Sequence, residues 1–262
     1  MERSVPSHEG QPLLGKVVMI TGGGNNAGEV YALAAARAGA AVAVLDVDER
    51  GAGRVAAQIG DQGGSAIALG VDITDPEAVT GAVDVTLHEL GALDSLINNA
   101  ALYAGISWTH LDDLDLDEWD RVMSVNVKGT FICSRAAAAA MRARSGGTIV
   151  NISSTSALSG PTHLAHYAAS KAAVLSLTRS LARAYGPAGV RVNALAPGLI
   201  WDKPSLDSID GTEIGESAVR QQILGRRFVP EDFVGTLIYL ATDLSAPLTG
   251  QTIVADGGRV LT

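Results

Sequence analysis

Tyr167 and Lys171 stand four residues apart in a stretch whose pattern predicts a helix over residues 166–185. Residues with this spacing share one face of a helix, so the phenol and the ammonium are expected to be neighbours. A free phenol titrates near pH ~10, and an adjacent ammonium favours the phenolate and lowers that pKa. The pair is therefore predicted to act as a general acid and base, although the same spacing also occurs in ordinary packing at a core edge.

A hydroxyl and an amide extend this constellation. Ser154 follows the predicted strand 147–153, which places its hydroxyl at the carboxyl edge of a sheet, 13 residues before Tyr167. Asn126 falls inside a predicted long helix over residues 118–144, where an amide side chain is unfavourable unless it has a partner. A phenol, an ammonium, a hydroxyl and an amide together suit proton transfer at a carbonyl or carbinol oxygen.

A glycine-rich loop runs from Thr21 to Gly28, between a predicted strand over 16–21 and a predicted helix over 28–38. Glycines let the backbone turn sharply and approach a pyrophosphate closely. The helix that follows offers free N–H groups and the positive end of its dipole. The position of this loop in the first strand–helix–strand unit predicts a dinucleotide site rather than an ordinary turn.

Asp46 ends the predicted strand 41–46, 24 residues after Gly22. An acid at this position can accept hydrogen bonds from an adenosine ribose; otherwise it caps the next helix or faces water. A carboxylate repels a 2′-phosphate, and no lysine or arginine lies in the loop from Gly22 to Gly28. Both facts favour NAD over NADP, and Arg50 is the only nearby base predicted.

The elements that would carry these residues alternate between short apolar runs and longer amphipathic stretches. Strands are predicted at residues 16–21, 41–46, 65–71, 93–98, 147–153, 190–194 and 252–254. Helices are predicted at residues 28–38, 49–59, 76–90, 118–144, 166–185 and 230–242. Apolar strands that alternate with helices are typical of a parallel sheet covered on both faces. The predicted fold is α/β: a single doubly wound Rossmann-type domain with a mostly parallel seven-stranded sheet and helices on both faces.

The domain is predicted to occupy residues 13–262, after a polar N-terminal extension over residues 1–12. Residues 201–225 are rich in acidic and amide side chains and follow the carboxyl end of a strand. Because folds of this class bind ligands at that edge, we expect this stretch to be an irregular, mobile flap over the substrate.

Composition and charge exclude several other classes. The 262 residues are 47% hydrophobic and 18% charged, which suits a folded core and not a disordered chain. The net charge of −9 argues against nucleic-acid binding. No apolar run is long enough for a membrane span, and the polar N-terminus and single cysteine, Cys133, favour the cytoplasm. His163 and His166 lack a suitably spaced third ligand, so no metal site is predicted.

Taken together, the motifs resemble those of the short-chain dehydrogenases/reductases, over about residues 13–258. The matching motifs are the Thr21–Gly28 loop, Asp72, Asn98-Asn99-Ala100, Asn126, Ser154, Tyr167 with Lys171, Pro197-Gly198 and Asp256-Gly257-Gly258. Each motif is weak evidence alone, but their order and spacing together are specific.

The resemblance implies a role for each site residue. Tyr167 exchanges the substrate proton, and Ser154 holds and polarises the carbonyl oxygen. Lys171 lowers the tyrosine pKa and binds the nicotinamide ribose, while Asn126 holds a water in a proton relay. The residues implied to bind NAD are Gly22, Asn25, Asn26, Ala27, Asp46, Asp72, Ile73, Asn98, Ala100, Tyr167, Lys171, Pro197, Gly198 and Ile200. Those implied to contact the substrate are Ser154, Ser156, Tyr167 and Trp201.

Four positions depart from the family pattern. Asn26 stands in place of a glycine, but asparagine tolerates positive φ. Ala27 replaces a larger apolar residue, and Ala101 replaces a common glycine. Asp202 stands where the family often has a threonine that binds the nicotinamide carboxamide. Its carboxylate either accepts from that amide or faces water.

The predicted function is hydride transfer between NAD(H) and a secondary alcohol or ketone, with Tyr167 as general acid and base. An NADPH-dependent reductase of 3-oxoacyl thioesters is the alternative enzyme, and an NAD-sensing binding protein of the same fold is the alternative without catalysis. The expected partner is a small-molecule alcohol or ketone, with no nucleic acid and no membrane. The resemblance also implies a homotetramer or homodimer, formed through the predicted helices 118–144 and 166–185.

Overall fold

A computed structural model describes residues 10–144 and 146–261, so the predicted extension over residues 1–12 lies mostly outside the described residues. Within them is a seven-stranded sheet in the order β3-β2-β1-β4-β5-β6-β7. The strands are β1 Val17–Thr21, β2 Ala41–Asp46, β3 Ser65–Gly70, β4 Ser95–Asn98, β5 Gly147–Ile152, β6 Val190–Pro197 and β7 Thr252–Ala255. All neighbouring strands pair in parallel, which confirms the predicted doubly wound sheet.

Helices join the strands and cover both faces of the sheet. They are α1 Asn26–Arg37, α2 Glu49–Asp61, α3 Pro76–Leu90, α4 Leu116–Met123, α5 Thr130–Ala143, α6 Ser156–Ser159, α7 Ala165–Tyr185, α8 Lys203–Ile209, α9 Glu213–Arg220 and α10 Glu231–Ala241. Helix α3 begins and ends as predicted because Asp75 caps its first turn and Gly91, at φ 79°, ends it. Among the described residues, none of the helices combines the length and apolarity needed to cross a membrane.

The hydrophobic core forms two layers, one on each face of the sheet. Successive side chains of a strand point to opposite faces, and β1 shows the consequence. Val18 and Ile20 pack with residues of α1, α2 and α10, whereas Met19 packs with residues of α3, α5 and α7. Strands buried on both faces must be apolar throughout, which is why the apolar runs of the sequence indicated a parallel sheet.

The predicted long helix over residues 118–144 is confirmed, but it is not α-helical throughout. Helix α4 ends at Met123, and a π-helical turn over Ser124–Gly129 joins it directly to α5. Such a turn inserts an extra residue into the helical ladder and often marks a functional site. Here it carries Asn126, whose amide finds partners on two other segments and so stabilises the turn.

The prediction of an irregular stretch over residues 201–225 is wrong for most of its length. Part of it folds into α8 and α9, each begun by a polar side chain that caps the first turn. Asp202 accepts from the Ser205 amide at 3.2 Å, and Thr212 accepts from the Gly215 amide at 3.3 Å. The polar residues that suggested a loop are therefore partly helix caps.

The order of the strands places a crevice beside β1. The chain leaves β1 toward β2 on one side and returns to β4 on the other, so the loops after β1 and β4 separate at the carboxyl edge of the sheet. Folds of this class bind ligands at such a switch point.

Candidate active site

A cavity of about 810 Å³ opens at this crevice. It is lined by most of the residues that the sequence predicted for the site: Gly22, Asn25, Asn26, Ala27, Asp46, Asp72, Ile73, Ala100, Ser154, Ser156, Tyr167, Lys171, Pro197, Gly198 and Ile200. Three predicted residues, Asn98, Asn126 and Trp201, do not line it. Residues from the sheet edge and from α8 and α9 thus enclose one common space.

The glycine loop leaves no room for side chains where it turns. A Cβ on Gly28 would lie 1.8 Å from the Gly22 carbonyl oxygen, and one on Gly22, which has φ 63°, would lie 2.8 Å from the Ala100 Cα. Asn26 adopts φ 47°, the left-handed conformation that asparagine tolerates. The loop therefore brings bare backbone and the start of α1 to the cavity, a cradle that fits the pyrophosphate of a dinucleotide.

Asp46 lies at the other end of this cradle and is 6% exposed. Its carboxylate accepts hydrogen bonds from the Gly24 amide at 2.9 Å and the Asp48 amide at 3.0 Å. A carboxylate has about four acceptor sites, so two backbone bonds leave capacity for ribose hydroxyls. Asp46 thus shapes the loop as well as facing the cavity, a second role that the sequence analysis did not identify.

A base that the sequence did not indicate contacts this end of the cradle. Arg54, one turn after Arg50 on α2, donates to the Gly24 carbonyl at 2.9 Å and pairs with Glu29 at 2.7 Å. Its charge is therefore neutralised by a carboxylate of α1. The sequence could have indicated Arg54, because a residue four positions after Arg50 lies on the same face of α2.

Asn98 does not reach the cavity, contrary to its expected place beside a ribose. It is 4% exposed, and its amide donates to Ser134 at 2.9 Å and Asn151 at 2.8 Å inside the core. Asn99 lines the cavity instead, and its side chain donates to the Gly22 carbonyl at 3.0 Å. Alternation along β4 explains the exchange, since neighbouring residues point to opposite faces.

Tyr167 and Lys171 lie on the same face of α7, as their spacing predicts. The Lys171 Nζ stands 5.5 Å from the centre of the Tyr167 ring and donates to the Ile152 carbonyl at 2.9 Å. Lys171 is 3% exposed, and burial lowers its pKa to about 8 because a desolvated ammonium is unfavourable. The chemistry-bearing side chains therefore share a poorly solvated pocket.

The pKa of Tyr167 is raised, which contradicts the expected lowering by Lys171. Burial is the main cause, and the charges of Tyr103 and Asp202 act in the same direction. A hydrogen bond with Ser154 opposes them by stabilising the phenolate. Burial therefore favours the protonated form of Tyr167, and the hydrogen bond with Ser154 is the contact that favours proton release.

The side-chain amide of Asn126 forms hydrogen bonds through both its oxygen and its nitrogen. Its Oδ1 accepts from the Leu102 amide at 2.7 Å, and its Nδ2 donates to the Ser170 hydroxyl at 3.0 Å. Ser170 precedes Lys171 on α7, so Asn126 ties that helix to the loop that follows β4. The implied water relay stays a prediction.

Trp201 does not contact the cavity, contrary to prediction. It is 4% exposed, and the guanidinium of Arg227 lies 3.9 Å from the centre of its ring. Trp201 instead packs under α9, where a Cβ on Gly215 would lie 2.8 Å from its ring. Asp202, the next residue, does line the cavity and uses its carboxylate to cap α8.

The aromatic residues that face the cavity come from the loop after β4. Tyr103 lies 5.3 Å from Tyr167 and 6.3 Å from Trp108, measured between ring centres. Because both residues follow a strand end that faces the site, the sequence left them open between core packing and contact with the substrate. Both line the cavity.

A buried acid and histidine, which the sequence did not pair, support that loop. Glu118 accepts from the Ser107 amide at 2.9 Å, and its carboxylate lies 3.0 Å from the His166 Nε2. Burial raises the pKa of Glu118, but the Ser107 hydrogen bonds and the His166 side chain outweigh it and bring the pKa below its ordinary value. The pair joins α4 to the residue that precedes Tyr167.

The family is shown by comparison with known proteins. A family model described as Enoyl-(Acyl carrier protein) reductase matches residues 25–259. A solved short-chain type dehydrogenase/reductase from Mycobacterium marinum is 36% identical, with a TM-score of 0.88 over 95% of this chain and 97% of that one. The chain belongs to the short-chain dehydrogenase/reductase family, as its motifs predicted, and is an oxidoreductase that uses a nicotinamide cofactor.

Two curated relatives are named as dehydrogenases of particular secondary alcohols. The 2-(S)-hydroxypropyl-CoM dehydrogenase 3 of Xanthobacter autotrophicus is 40% identical over 250 residues, which are 94% of this chain and 97% of that protein. The cyclopentanol dehydrogenase of Comamonas testosteroni is 35% identical over 243 residues, 93% and 96% of the two chains. The chain is thus similar over nearly its whole length to enzymes with different named substrates.

Proposed function

We propose that this protein is an NAD-dependent dehydrogenase of secondary alcohols that also reduces the corresponding ketones. The observation that carries the proposal is one cavity lined both by Ser154, Tyr167 and Lys171 and by the glycine loop and Asp46. The first set suits proton transfer at a carbinol oxygen, and the second fits a dinucleotide that bears free ribose hydroxyls.

The side chains divide the proton chemistry between them. When bound, a nicotinamide cofactor supplies or accepts the hydride. In ketone reduction Tyr167 gives its phenol proton to the carbonyl oxygen and is left as the phenolate. In alcohol oxidation the phenolate takes the carbinol proton and becomes the neutral phenol. Ser154 holds the same substrate oxygen by a hydrogen bond. Lys171, with its pKa of about 8, stabilises negative charge on the phenol oxygen as it develops.

Asp46 supports NAD as the cofactor. A buried carboxylate at the ribose end of the cradle repels a 2′-phosphate. Arg54, the cation beside the loop, already pairs with Glu29 and binds the Gly24 carbonyl. A 2′-phosphate would have to compete for it, which disfavours the alternative NADPH-dependent reductase of 3-oxoacyl thioesters.

A steady-state assay tests the proposal directly. Formation of reduced cofactor is followed by absorbance with NAD or NADP and a panel of secondary alcohols. We expect NAD to give a kcat/KM about tenfold or more above that of NADP. Equal use of both cofactors contradicts the NAD assignment. Tight NAD binding without turnover of any alcohol or ketone favours the NAD-sensing alternative, and preference for NADPH with a 3-oxoacyl thioester favours the thioester reductase.

We also propose that the enzyme is a cytoplasmic homotetramer or homodimer that assembles through residues 118–144 and 166–185. Phe131 of α5 is 39% exposed, which suits a surface covered in an assembly. Light scattering of the purified protein, with Phe131→Glu as the disrupting variant, measures the state. A monomer at all concentrations contradicts this assignment.

Residues 201–225, with α8 and α9, retain their proposed role as a substrate flap.

A further inference from the structure

We infer that the substrate is an uncharged secondary alcohol whose carbinol carbon bears an apolar ring. This inference rests on the proposed function and narrows its substrate class. It is carried by two observations: the aromatic and aliphatic residues that line the cavity holding Tyr167, and the sign of the charges in that lining.

One wall is aromatic. The ring of Tyr103 stands at 56° to that of Tyr167 and at 74° to that of Trp108, so the three rings form a continuous apolar surface beside the phenol. Tyr103 and Trp108 pack on a small core that includes Ile106 and Leu164. Aromatic side chains favour another ring in an edge-on or offset contact, which suits a cyclic or aryl substituent.

This wall is held in place by contacts outside the cavity. The Leu102 amide donates to Asn126, and the Ser107 amide and hydroxyl both donate to Glu118. His110 on the far side of the loop forms a backbone bridge with His163. A wall fixed in this way need not be ordered by the substrate, so contacts with a ring contribute fully to its binding.

A second group of apolar residues in the lining comes from α8 and α9 and is aliphatic. Ile209 and Ala218 are 3% and 8% exposed, and both line the cavity together with Ile214. The cavity that holds the Tyr167 phenol thus offers both aromatic and aliphatic side chains to a group on the carbinol carbon. Burial of apolar surface between such walls favours a ring over a charged or strongly hydrated group.

Acidic residues dominate the charges along the cavity. The charged residues that line it are Asp46, Asp72, Asp202, Glu213, Lys171 and Arg259. Glu213 pairs with Arg220, so Asp46, Asp72 and Asp202 are the acids that set the sign. Lys171 donates to the Ile152 carbonyl, and the Arg259 Nε donates to Gln221 at 2.9 Å. The charge of Asp202 acts on both Tyr167 and Tyr103, where burial already raises the pKa. An anionic substrate group beside these rings meets the same repulsion.

Substrates that share one carbinol centre and differ in charge test the inference. We compare 1-phenylethanol with its para-carboxylate and para-trimethylammonium derivatives, at saturating NAD. We expect the uncharged alcohol to have a kcat/KM about tenfold or more above either charged one, because the apolar walls do not solvate a charge. Equal or faster turnover of the carboxylate or of the ammonium derivative overturns the inference.

A variant of the aromatic wall tests the ring requirement. Trp108→Ala is expected to lower kcat/KM for 1-phenylethanol about tenfold and to change kcat/KM for 2-propanol less than about twofold. Trp119→Ala removes the same side chain from α4, outside the cavity, and should leave both values unchanged. Equal losses for both alcohols in Trp108→Ala contradict a wall that recognises the ring.

Binding without turnover separates this inference from the proposed function. Acetophenone and 4-acetylbenzoate are titrated by calorimetry into Tyr167→Phe protein saturated with NADH. Tighter binding of acetophenone supports the inference, and equal or tighter binding of 4-acetylbenzoate overturns it. If the parent protein oxidises no alcohol, the proposed function fails and the two titrations still decide which class the cavity accepts.

Discussion

The two halves of the cavity are built differently. In the cofactor half, backbone atoms make the closest approaches: Gly22 and Gly28 touch directly, and Asp46 binds loop amides. In the substrate half, the loop over residues 102–108 is held by side chains from distant segments, chiefly Asn126 and Glu118. The first half is determined by strand geometry, whereas the second depends on a few hydrogen bonds that substitutions can replace singly.

The flap over residues 201–225 borders the substrate half and has exposed ion pairs. Arg220 pairs with Glu213 and Glu216, and Arg227 pairs with Asp210. Such surface pairs contribute about 0–1 kcal/mol each. The difference between the halves explains how one fold can keep its cofactor site and change its substrate, because the substrate half tolerates exchange without loss of the sheet.

Tyr167 serves both halves, so its substitution should have the largest effect. Tyr167→Phe removes only the phenol oxygen, and kcat should fall about 10²–10⁴-fold because general acid and base catalysis is lost. NAD affinity by calorimetry should change little. Tyr185→Phe, at the other end of α7 and outside the cavity, is the matched control. A Tyr167→Phe rate within tenfold of the parent argues against the assigned role.

The contrast between the halves also explains which site residues could be predicted from the sequence. The glycine loop, Asp46 and the Tyr167–Lys171 pair lie in short segments whose spacing carries their geometry. The predictions for Asn98 and Trp201 were wrong because a shift of one residue along a strand or strand end reverses the direction of a side chain. The sheet was predicted because its strands are apolar throughout.

The residues that were missed depend on contacts between distant segments. Glu118 and His166 are 48 positions apart, and no local pattern relates them. The raised pKa of Tyr167 likewise comes from burial and from the nearby Tyr103 and Asp202, and the spacing between Tyr167 and Lys171 indicates none of these. The helices α8 and α9 were missed because capping residues resemble loop residues in composition.

Asp46→Asn should weaken cofactor binding and leave substrate binding unchanged. The amide keeps one oxygen for the loop but loses the charge and part of the hydrogen bonding, so the Kd for NAD should rise about 10–100-fold. Preference for NAD over NADP should narrow as well, while the alcohol KM at saturating NAD stays unchanged. Asp48→Asn, the nearby acid outside the cavity, controls for charge. Unchanged NAD affinity in Asp46→Asn contradicts the ribose contact.

Glu118→Gln should break the substrate half alone. The loss of charge weakens the hydrogen bonds from Ser107 and the contact with His166, so the loop that carries Tyr103 and Trp108 loosens. We expect the alcohol KM to rise about fivefold, equivalent to ~1 kcal/mol, with an unchanged Kd for NAD. Glu77→Gln on the exposed start of α3 is the control. Equal changes in both constants indicate that the two halves are not independent.

Asp202 lies between the halves, and its substitution should have the smallest effect. Threonine and asparagine also cap helices, so Asp202→Thr and Asp202→Asn keep the hydrogen bond to Ser205 and remove only the charge. The negative charge of Asp202 contributes to the raised pKa of Tyr167. Its removal therefore lowers this pKa and moves the alkaline rise of alcohol oxidation to lower pH.

A carboxylate at position 202 that lies beside a nicotinamide also favours the cationic, oxidised form of the cofactor. The variants should therefore bind NAD⁺ several-fold more weakly, for up to ~1 kcal/mol, with NADH affinity nearly unchanged. Calorimetric titration of both redox forms, together with pH–rate profiles, measures the two effects separately. An unmoved profile and equal affinities would mean that Asp202 acts only as a helix cap.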